Sequence, residues 1–433
     1  MIVVQNEKLL DFIKSDYSLA DIQALIAYLQ QQGTFNFSAL PNGLFPAALL
    51  TEDTAYTGYA NVWVRDNIHV AYAHYVIGEV SVAVKVVQTL LDYFGQHRHR
   101  FEKIIQGQAD FQEPMNRPHI RFNGKTLEEN EEGWPHAQND ALGYFLWLYC
   151  LLVRDELIEP TSEDVETLAL FPFYFQAISY WQDEDSGHWE ETRKVEASSI
   201  GAVIAGLKGL RQIHLKPSFV AHCCQYEGQL LTLPFIDELI DKGQTSLNEI
   251  LPAECIQPGK ARSEDGALLF LIYPLRVVEG EKADKVLENV LTNLTREIGI
   301  CRYLGDSFWC ADYKQKLSGE QRTADFSNDV SLRDQLLKPG EEAQWCIFDP
   351  IVSVIFGLKY KATGQEDYLK QQIHYLNRAL GHVTGVESEF GGFKCPELYH
   401  LENGRYTPSD ATPLLWTQAT LRIALEIMER TLV

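Results

Sequence analysis

Apolar residues recur at helical spacing along almost the whole chain. The pattern predicts a short amphipathic helix over Leu19–Gln31, closed by Gly33, then helices over Asp66–Val76 and Val80–Phe94 separated by Gly78. Asn139–Val153 is strongly apolar, and Val165–Trp181 is a longer helical candidate. In Ala197–Ile213 the residues Ile200, Val203, Ile204, Leu207, Leu210 and Ile213 keep one face. Ala267–Tyr273 stays apolar up to Pro274, and Ala283–Ile298 carries a stripe of Val286, Leu287, Val290, Leu291 and Leu294. Gln344–Tyr360, Tyr368–Leu380 and Pro413–Leu432 complete the series. Strict alternation of apolar and polar residues, the mark of a half-buried strand, is scarce. The expectation is an all-α protein, a closed ring of helix pairs.

The loops between these helices differ in length. Gln106–Gln138 and Arg302–Glu342 are long and poor in apolar residues, and long connections in a compact domain are usually functional or disordered. Trp63, Trp134, Trp189, Trp309, Trp345 and Trp416 fall in such loops or at helix ends, whereas Trp147 and Trp181 read as core. One aromatic residue near a helix end is ordinarily a packing plug. Six beside acids and amides fit carbohydrate recognition, which needs flat apolar faces next to planar hydrogen-bonding groups.

Composition narrows the partners. A chain of 433 residues with 45% hydrophobic residues can bury a large core. The net charge of −23 and the lack of any Lys or Arg block argue against nucleic acid and anionic membranes, and favour a neutral ligand such as a sugar. Met1–Lys14 has neither a basic region nor a long apolar run, so no secretory signal is predicted, and no segment is long enough to span a membrane. A cytoplasmic location is expected. Eight cysteines without a CxxC pair read as reduced, buried thiols. His222-Cys223-Cys224 matches no zinc spacing, and neither a metal nor another cofactor is expected. His97 and His99, flanked by arginines, are placed at a solvated helix end.

Acidic residues then suggest chemistry. Gly187-His188-Trp189-Glu190-Glu191 precedes a helix, and a carboxyl held against an indole loses stabilisation of its charged form, so it can donate a proton near neutral pH. An acidic pair at that place equally serves the helix dipole. Trp63-Val64-Arg65-Asp66-Asn67 also opens a helix, with Asp66 either an N-cap or, with Arg65, a clamp for sugar hydroxyls. Trp134, Gln138 and Asp140 repeat the order of aromatic, amide and acid before a helix, and Arg302 and Asp306 flank Tyr303, Phe308 and Trp309. Glu397 follows Pro396 a short polar loop before the last helix.

In their order, VWVRDNI (62–68), EGWPHAQNDA (132–141), GHWEE (187–191), VEASSIGAVIAGL (195–207), DGALL (265–269), GICRYLGDSFW (299–309), EAQWCIFDP (342–350) and CPELY (395–399) resemble glycoside hydrolase family 15, the glucoamylase family. The set is most similar to the branch holding the phosphorylase kinase α and β subunits. The resemblance implies an (α/α)6 barrel over residues 1–433, with 1–40 as a helical lead-in and a pocket built by loops at one end. It implies exo-acting release of β-glucose from non-reducing ends of α-glucosides with inversion, Glu190 as general acid and Glu397 as base. It carries substrate contacts to Arg65, Asp66, Arg302, Trp63, Trp134, Trp189 and Glu191; Gln138, Asp140 and Trp345 join them as expected binding residues. An inverting base must be ionised, so Glu397 is expected in a more polar setting than Glu190, oriented by Ser409, Asp410 or Tyr399. The alternative is a glucan-binding regulatory protein with weak turnover or none, and a ring enzyme acting on other sugars is a third reading. The expected partner is an α-glucan or gluco-oligosaccharide, and a homo-oligomer is left open.

Overall fold

The helical periodicity resolves into six hairpins that close on themselves. The computed structural model describes residues 2–49, 57–216, 219, 222, 224–322, 324–327 and 330–433. In chain order the principal helices are α1 (Leu19–Gln31), α2 (Val64–Val76), α3 (Val80–Gln96), α4 (His99–Ile105), α5 (Asn139–Arg154), α6 (Ser162–Ala177), α7 (Ala197–Ile213), α8 (Leu233–Ile250), α9 (Leu269–Ile272), α10 (Gly280–Leu294), α11 (Phe348–Thr363), α12 (Glu366–Gly381) and α13 (Leu415–Thr431), with single helical turns at Tyr313–Lys316, Gly319–Arg322 and Ser331–Asp334 in the loop before α11. The inner ring runs α2, α5, α7, α9, α11 and α13, and α13 packs back on α2. Outside it, α3, α6, α8, α10, α12 and α1 each pack on an inner partner. This is the (α/α)6 fold expected of the sequence.

Burial explains the division. Inner helices such as α5 and α7 are buried nearly all round, while outer helices α8, α10 and α12 are strongly amphipathic with one apolar face inward. The closest inner contact depends on glycine. A side chain at Gly143 of α5 would lie 2.4 Å from the backbone of Ala202 in α7, so only hydrogen fits there. The outer helices start cleanly: Ser18 and Asp21 form a capping box on α1, and Thr161 and Asp164 form one on α6.

The sequence pattern passes over α8, which contains Pro234 and Gly243. Both residues have a structural place. Pro234 sits in the first turn, where its missing N–H costs no hydrogen bond. At Gly243 a Cβ would lie 2.1 Å from the Tyr180 hydroxyl oxygen, so the glycine makes room for a buried tyrosine. Other differences are at boundaries: α6 ends at Ala177 rather than near Trp181, and α11 starts at Phe348 because Gln344–Trp345 pairs as a strand. Trp147 and Trp181 are half-buried rather than core.

Short strands pair the connecting loops in three small sheets. β1 (Val62–Trp63), β2 (Arg121–Asn123) and β3 (Glu128–Glu129) form one antiparallel sheet, with Trp63 opposite Arg121. β4 (Gln225–Tyr226) and β5 (Gln229–Leu230) form a small hairpin. β6 (Gln344–Trp345) pairs with β7 (Leu398–Glu402), which turns into β8 (Arg405–Pro408). The seven described cysteines are buried, and Cys223 lies outside the described residues. Among the described residues no helix is long and apolar enough to cross a membrane, and no group of His, Cys, Asp and Glu is placed to hold a metal ion.

Candidate active site

The N-terminal ends of the inner helices, and the loops leading into them, enclose one cavity. Its water-accessible space is about 150 Å³, against the roughly 10–15 Å³ that a single water needs. Trp63, Arg65 and Asp66 enter it from the start of α2, Trp134 from the loop before α5, and His188, Trp189 and Glu190 from the turn before α7. Arg302, Phe308 and Trp309 close the side beside Trp345, and Glu397, the residue before β7, and Trp416 of α13 complete the wall. All six tryptophans singled out in the sequence therefore meet at one place.

Glu190 owes its direction to an unusual backbone. It ends a short 3-10 turn, Gly187–Trp189, with φ at +58°, a left-handed conformation that costs a non-glycine residue about 1–2 kcal/mol. Its Oε1 accepts from Trp63 Nε1 at 2.8 Å, Gln138 Nε2 at 3.2 Å and Arg65 Nη2 at 3.5 Å. Burial raises its carboxyl above the ordinary glutamate value, and Arg65, Gln138, Arg121 and Trp63 pull it part of the way back.

Glu397 is held differently. Tyr59 donates its hydroxyl to Oε1 at 2.9 Å, while Oε2 is buried with no hydrogen-bond partner. Burial pushes this carboxyl up to about 7, against the Tyr59 hydroxyl and the charge of Arg302 and with the repulsion of Asp66. The expected contrast in polarity is thus reversed: Glu397 is 4% exposed, whereas the Glu190 side chain is 19% exposed and has three donors. The physical reason is the β7 strand, which inserts Glu397 between β6 and the start of α13. Nor do Tyr399 and Asp410 orient it. Tyr399 donates to His382 O at 2.8 Å, and Asp410 pairs with Lys314. Ser409 is buried beside it, and its hydroxyl favours the ionised form of Glu397.

The remaining expected residues fall into two groups. Asp66 faces the cavity, and burial pushes its carboxyl up to about 7, opposed by Arg65 and reinforced by Glu190. Trp63 is the residue preceding α2, and no side chain caps that helix, so Asp66 is not an N-cap. Gln138, Asp140 and Glu191 lie behind the wall. Arg65 donates to Asp140 at 2.6 Å and to Gln138 at 3.1 Å, so these two hold a cavity residue rather than face the cavity themselves. Burial disfavours the charge of Asp140, yet Arg65 and His188 outweigh it and keep the carboxyl low.

Glu191 anchors the opposite wall. Its Oε1 accepts from Arg302 at 3.0 Å and from Arg333 at 2.6 Å, its Oε2 accepts from Arg262 at 3.2 Å, and Tyr303 donates to it at 2.6 Å. Burial alone would raise its carboxyl, but the three guanidinium groups hold it well below the usual range. Arg302 in turn stacks near Trp345 at 4.8 Å and Phe308 at 4.9 Å.

Sequence reasoning passed over Tyr59 and Arg333. Tyr59 lies in no periodic element, and Arg333 sits in the long loop between Trp309 and Glu342, where no pattern points to it. Both line the cavity. The only available signal was their placement near aromatic loops.

Comparison with known proteins agrees with this fold. Over 206 residues the chain is 29% identical to the uncharacterized lipoprotein YgeQ of Escherichia coli (strain K12), covering 43% of this chain and 78% of YgeQ. Its fold is similar to that of a glycosidase variant solved in complex with glucose, at a TM-score of 0.63 and 16% identity, covering 95% of this chain and 97% of the other. It is also similar to the glucoamylase from Saccharomycopsis fibuligera, at a TM-score of 0.60 and 12% identity, covering 96% and 99%. The sequence model of glycosyl hydrolases family 15 matches residues 23–390, which include Arg65, Glu190 and Arg302 and stop just short of Glu397. The match spans most of the helical ring, and the chain belongs to glycosyl hydrolases family 15.

Proposed function

We propose that this protein is an inverting, exo-acting α-glucoside hydrolase that releases β-glucose from the non-reducing ends of oligo- or polysaccharides. One observation carries the reading. Glu190 and Glu397, from distant parts of the sequence, line one cavity together with Arg65, Asp66 and six tryptophans. Family membership and the glucose held by a glycosidase of similar fold support a sugar ligand.

In this reading Glu190 is the general acid. Its raised carboxyl gives its proton to the glycosidic oxygen as the bond from that oxygen to C1 breaks. A water bonds to C1 from the opposite face and loses a proton to Glu397, whose unpaired Oε2 is free to accept it. Glu190 ends ionised and Glu397 protonated, and exchange with solvent restores both. Arg65 and Asp66 grip the hydroxyls of the terminal glucose, with Gln138 and Asp140 fixing Arg65 from behind. Arg302, Trp63, Trp134, Trp189 and Trp345 contact the sugar rings, and Glu191 serves the site by holding Arg302 and Arg333. Residues 1–433 act as one catalytic unit.

Proton NMR of the reaction on maltose is the test. β-Glucose should appear first, before mutarotation; initial α-glucose would exclude the inverting pair. A glucan-binding regulator, the alternative suggested by the resemblance of the motifs to the phosphorylase kinase α and β subunits, would instead bind maltodextrin and release no glucose.

A further inference from the structure

Behind the tryptophans of the cavity lies a buried cation that does not itself line it. Arg121 stands on β2 directly opposite Trp63 and is 5% exposed. Its guanidinium carbon is 4.0 Å from the ring centroid of Trp134 and 5.0 Å from that of Trp63, and the two indoles meet edge to face at 5.9 Å. Gly58, at φ +72°, keeps the space open, since a Cβ there would lie 2.7 Å from Arg121 Nη2. Its one ion partner among the described residues, Glu132, is 3.5 Å away on a side chain that is 78% exposed, so it compensates the buried charge weakly. Burying a guanidinium without a good partner is costly. The carboxylate that most favours the charge of Arg121 is Glu190.

We propose that Arg121 is a positioning residue for the acid: it clamps Trp63 and Trp134 so that the Trp63 indole N–H is held against Glu190, and it sets a buried positive charge behind that carboxyl. Trp63 Nε1 lies 2.8 Å from Glu190 Oε1, so a rotation of the indole moves the donor off the carboxyl. The charged and titratable groups facing Glu190 are Arg65 and Asp66 from α2, Tyr59 from the loop before β1, and Arg121 from β2. Gln138 and Trp63 face it as neutral donors. Arg65, which also holds Asp140 and Gln138, is the nearer cation at the acid, and Arg121 is the second source of positive potential there.

The sign follows from electrostatics. Removing the Arg121 charge disfavours ionised Glu190, so the acid keeps its proton to higher pH and the alkaline limb of activity moves up. Loosening the indole misplaces the carboxyl and slows substrates whose leaving group must be protonated. The inference rests on Glu190 as the acid, and the experiment separates the two claims.

Arg121→Met removes the charge and keeps an apolar stem, with Arg121→Gln as the substitute if the methionine variant does not fold. On maltose kcat should fall about 10- to 100-fold, and the alkaline limb of kcat/KM should rise by about one pH unit. On α-glucosyl fluoride, whose fluoride leaves with little proton assistance, the loss should be much smaller. Arg121→Lys should return the limb to its wild-type position. Equal losses on both substrates with an unmoved limb would overturn the proposal, as would no loss at all. Should the wild type hydrolyse neither sugar, the hydrolase reading fails, and Arg121 is judged by infrared titration of the Glu190 carboxyl, identified by its absence in Glu190→Gln. An upward shift in Arg121→Met then upholds the clamp, and an unchanged titration refutes it.

Discussion

Glu190 and Glu191 are neighbours in the chain, yet their carboxyls belong to opposite walls of the cavity. The left-handed φ of +58° at Glu190 turns its side chain towards Trp63 and Arg65, while Glu191 is sent to Tyr303 and the three arginines 262, 302 and 333. The same burial therefore yields opposite outcomes: Glu190 stays raised because only Arg65 bonds it directly and Arg121 acts from behind the indoles, and Glu191 is lowered because three guanidinium groups bond it.

Replacing Glu190 by Gln keeps the shape and the acceptor oxygen but removes the transferable proton. Turnover on maltose should drop about 10²–10⁴-fold, with the melting temperature and maltose affinity unchanged. Glucose release, calorimetric unfolding and titration calorimetry together check it. Wild-type turnover would remove Glu190 from the role of acid.

Glu191→Gln should do something else. It leaves Arg302, Arg333 and Arg262 without their shared carboxylate, and breaking a buried ion pair in this way costs about 3–5 kcal/mol. A marked fall in unfolding midpoint is expected, measured by scanning calorimetry. A rise in KM with an unchanged midpoint would instead make Glu191 a direct sugar contact.

The base predicts its own pH limb. Glu397 is pushed up to about 7, so activity should decline as pH falls through about 7 and the carboxylate takes up a proton. Tyr59→Phe removes the hydroxyl that donates to Glu397 Oε1 and favours its ionised form. The acid limb of kcat/KM should then move to higher pH. A limb that stayed in place would detach Tyr59 from the control of Glu397.

Stability should show the converse. A carboxyl whose folded value lies above its unfolded value of 4.5 is best accommodated when protonated; that contribution is present below the unfolded value and is lost as pH rises through about 7. Glu397→Gln, neutral at every pH, should raise the melting temperature at pH 8 and change it little at pH 4. Melting curves at the two pH values decide it, and equal shifts at both would refute the burial account.

Binding at the clamp is the remaining expectation. Asp66→Asn should weaken maltose binding and slow turnover together, because contacts that tighten in the transition state affect both. Asp66 faces the cavity and caps no helix, so the melting temperature should not fall, and above pH 7 it should rise as the buried charge is removed. A variant that lost stability alone would make Asp66 a structural residue.

Helical periodicity determined the all-α class and suited a closed ring of helix pairs, because apolar stripes at helical spacing must be buried, and the resemblance carried by the ordered motifs implied the (α/α)6 barrel. Even there, α8 escaped notice, since Pro234 and Gly243 weaken its local signal and only the neighbouring Tyr180 explains the glycine. The ordered motifs also carried the family and most of the residues that meet at the cavity. What they left open is orientation. That Asp140 and Gln138 stand behind Arg65, that Glu191 binds arginines rather than facing the cavity, and that Tyr59 and Arg333 complete its walls follow from contacts between segments up to several hundred residues apart. The setting of Glu397 was decided the same way. A loop reads as solvated in sequence, but strand pairing with β6 draws this one into the wall, and burial, a property of the whole ring, sets the proton affinity of its carboxyl.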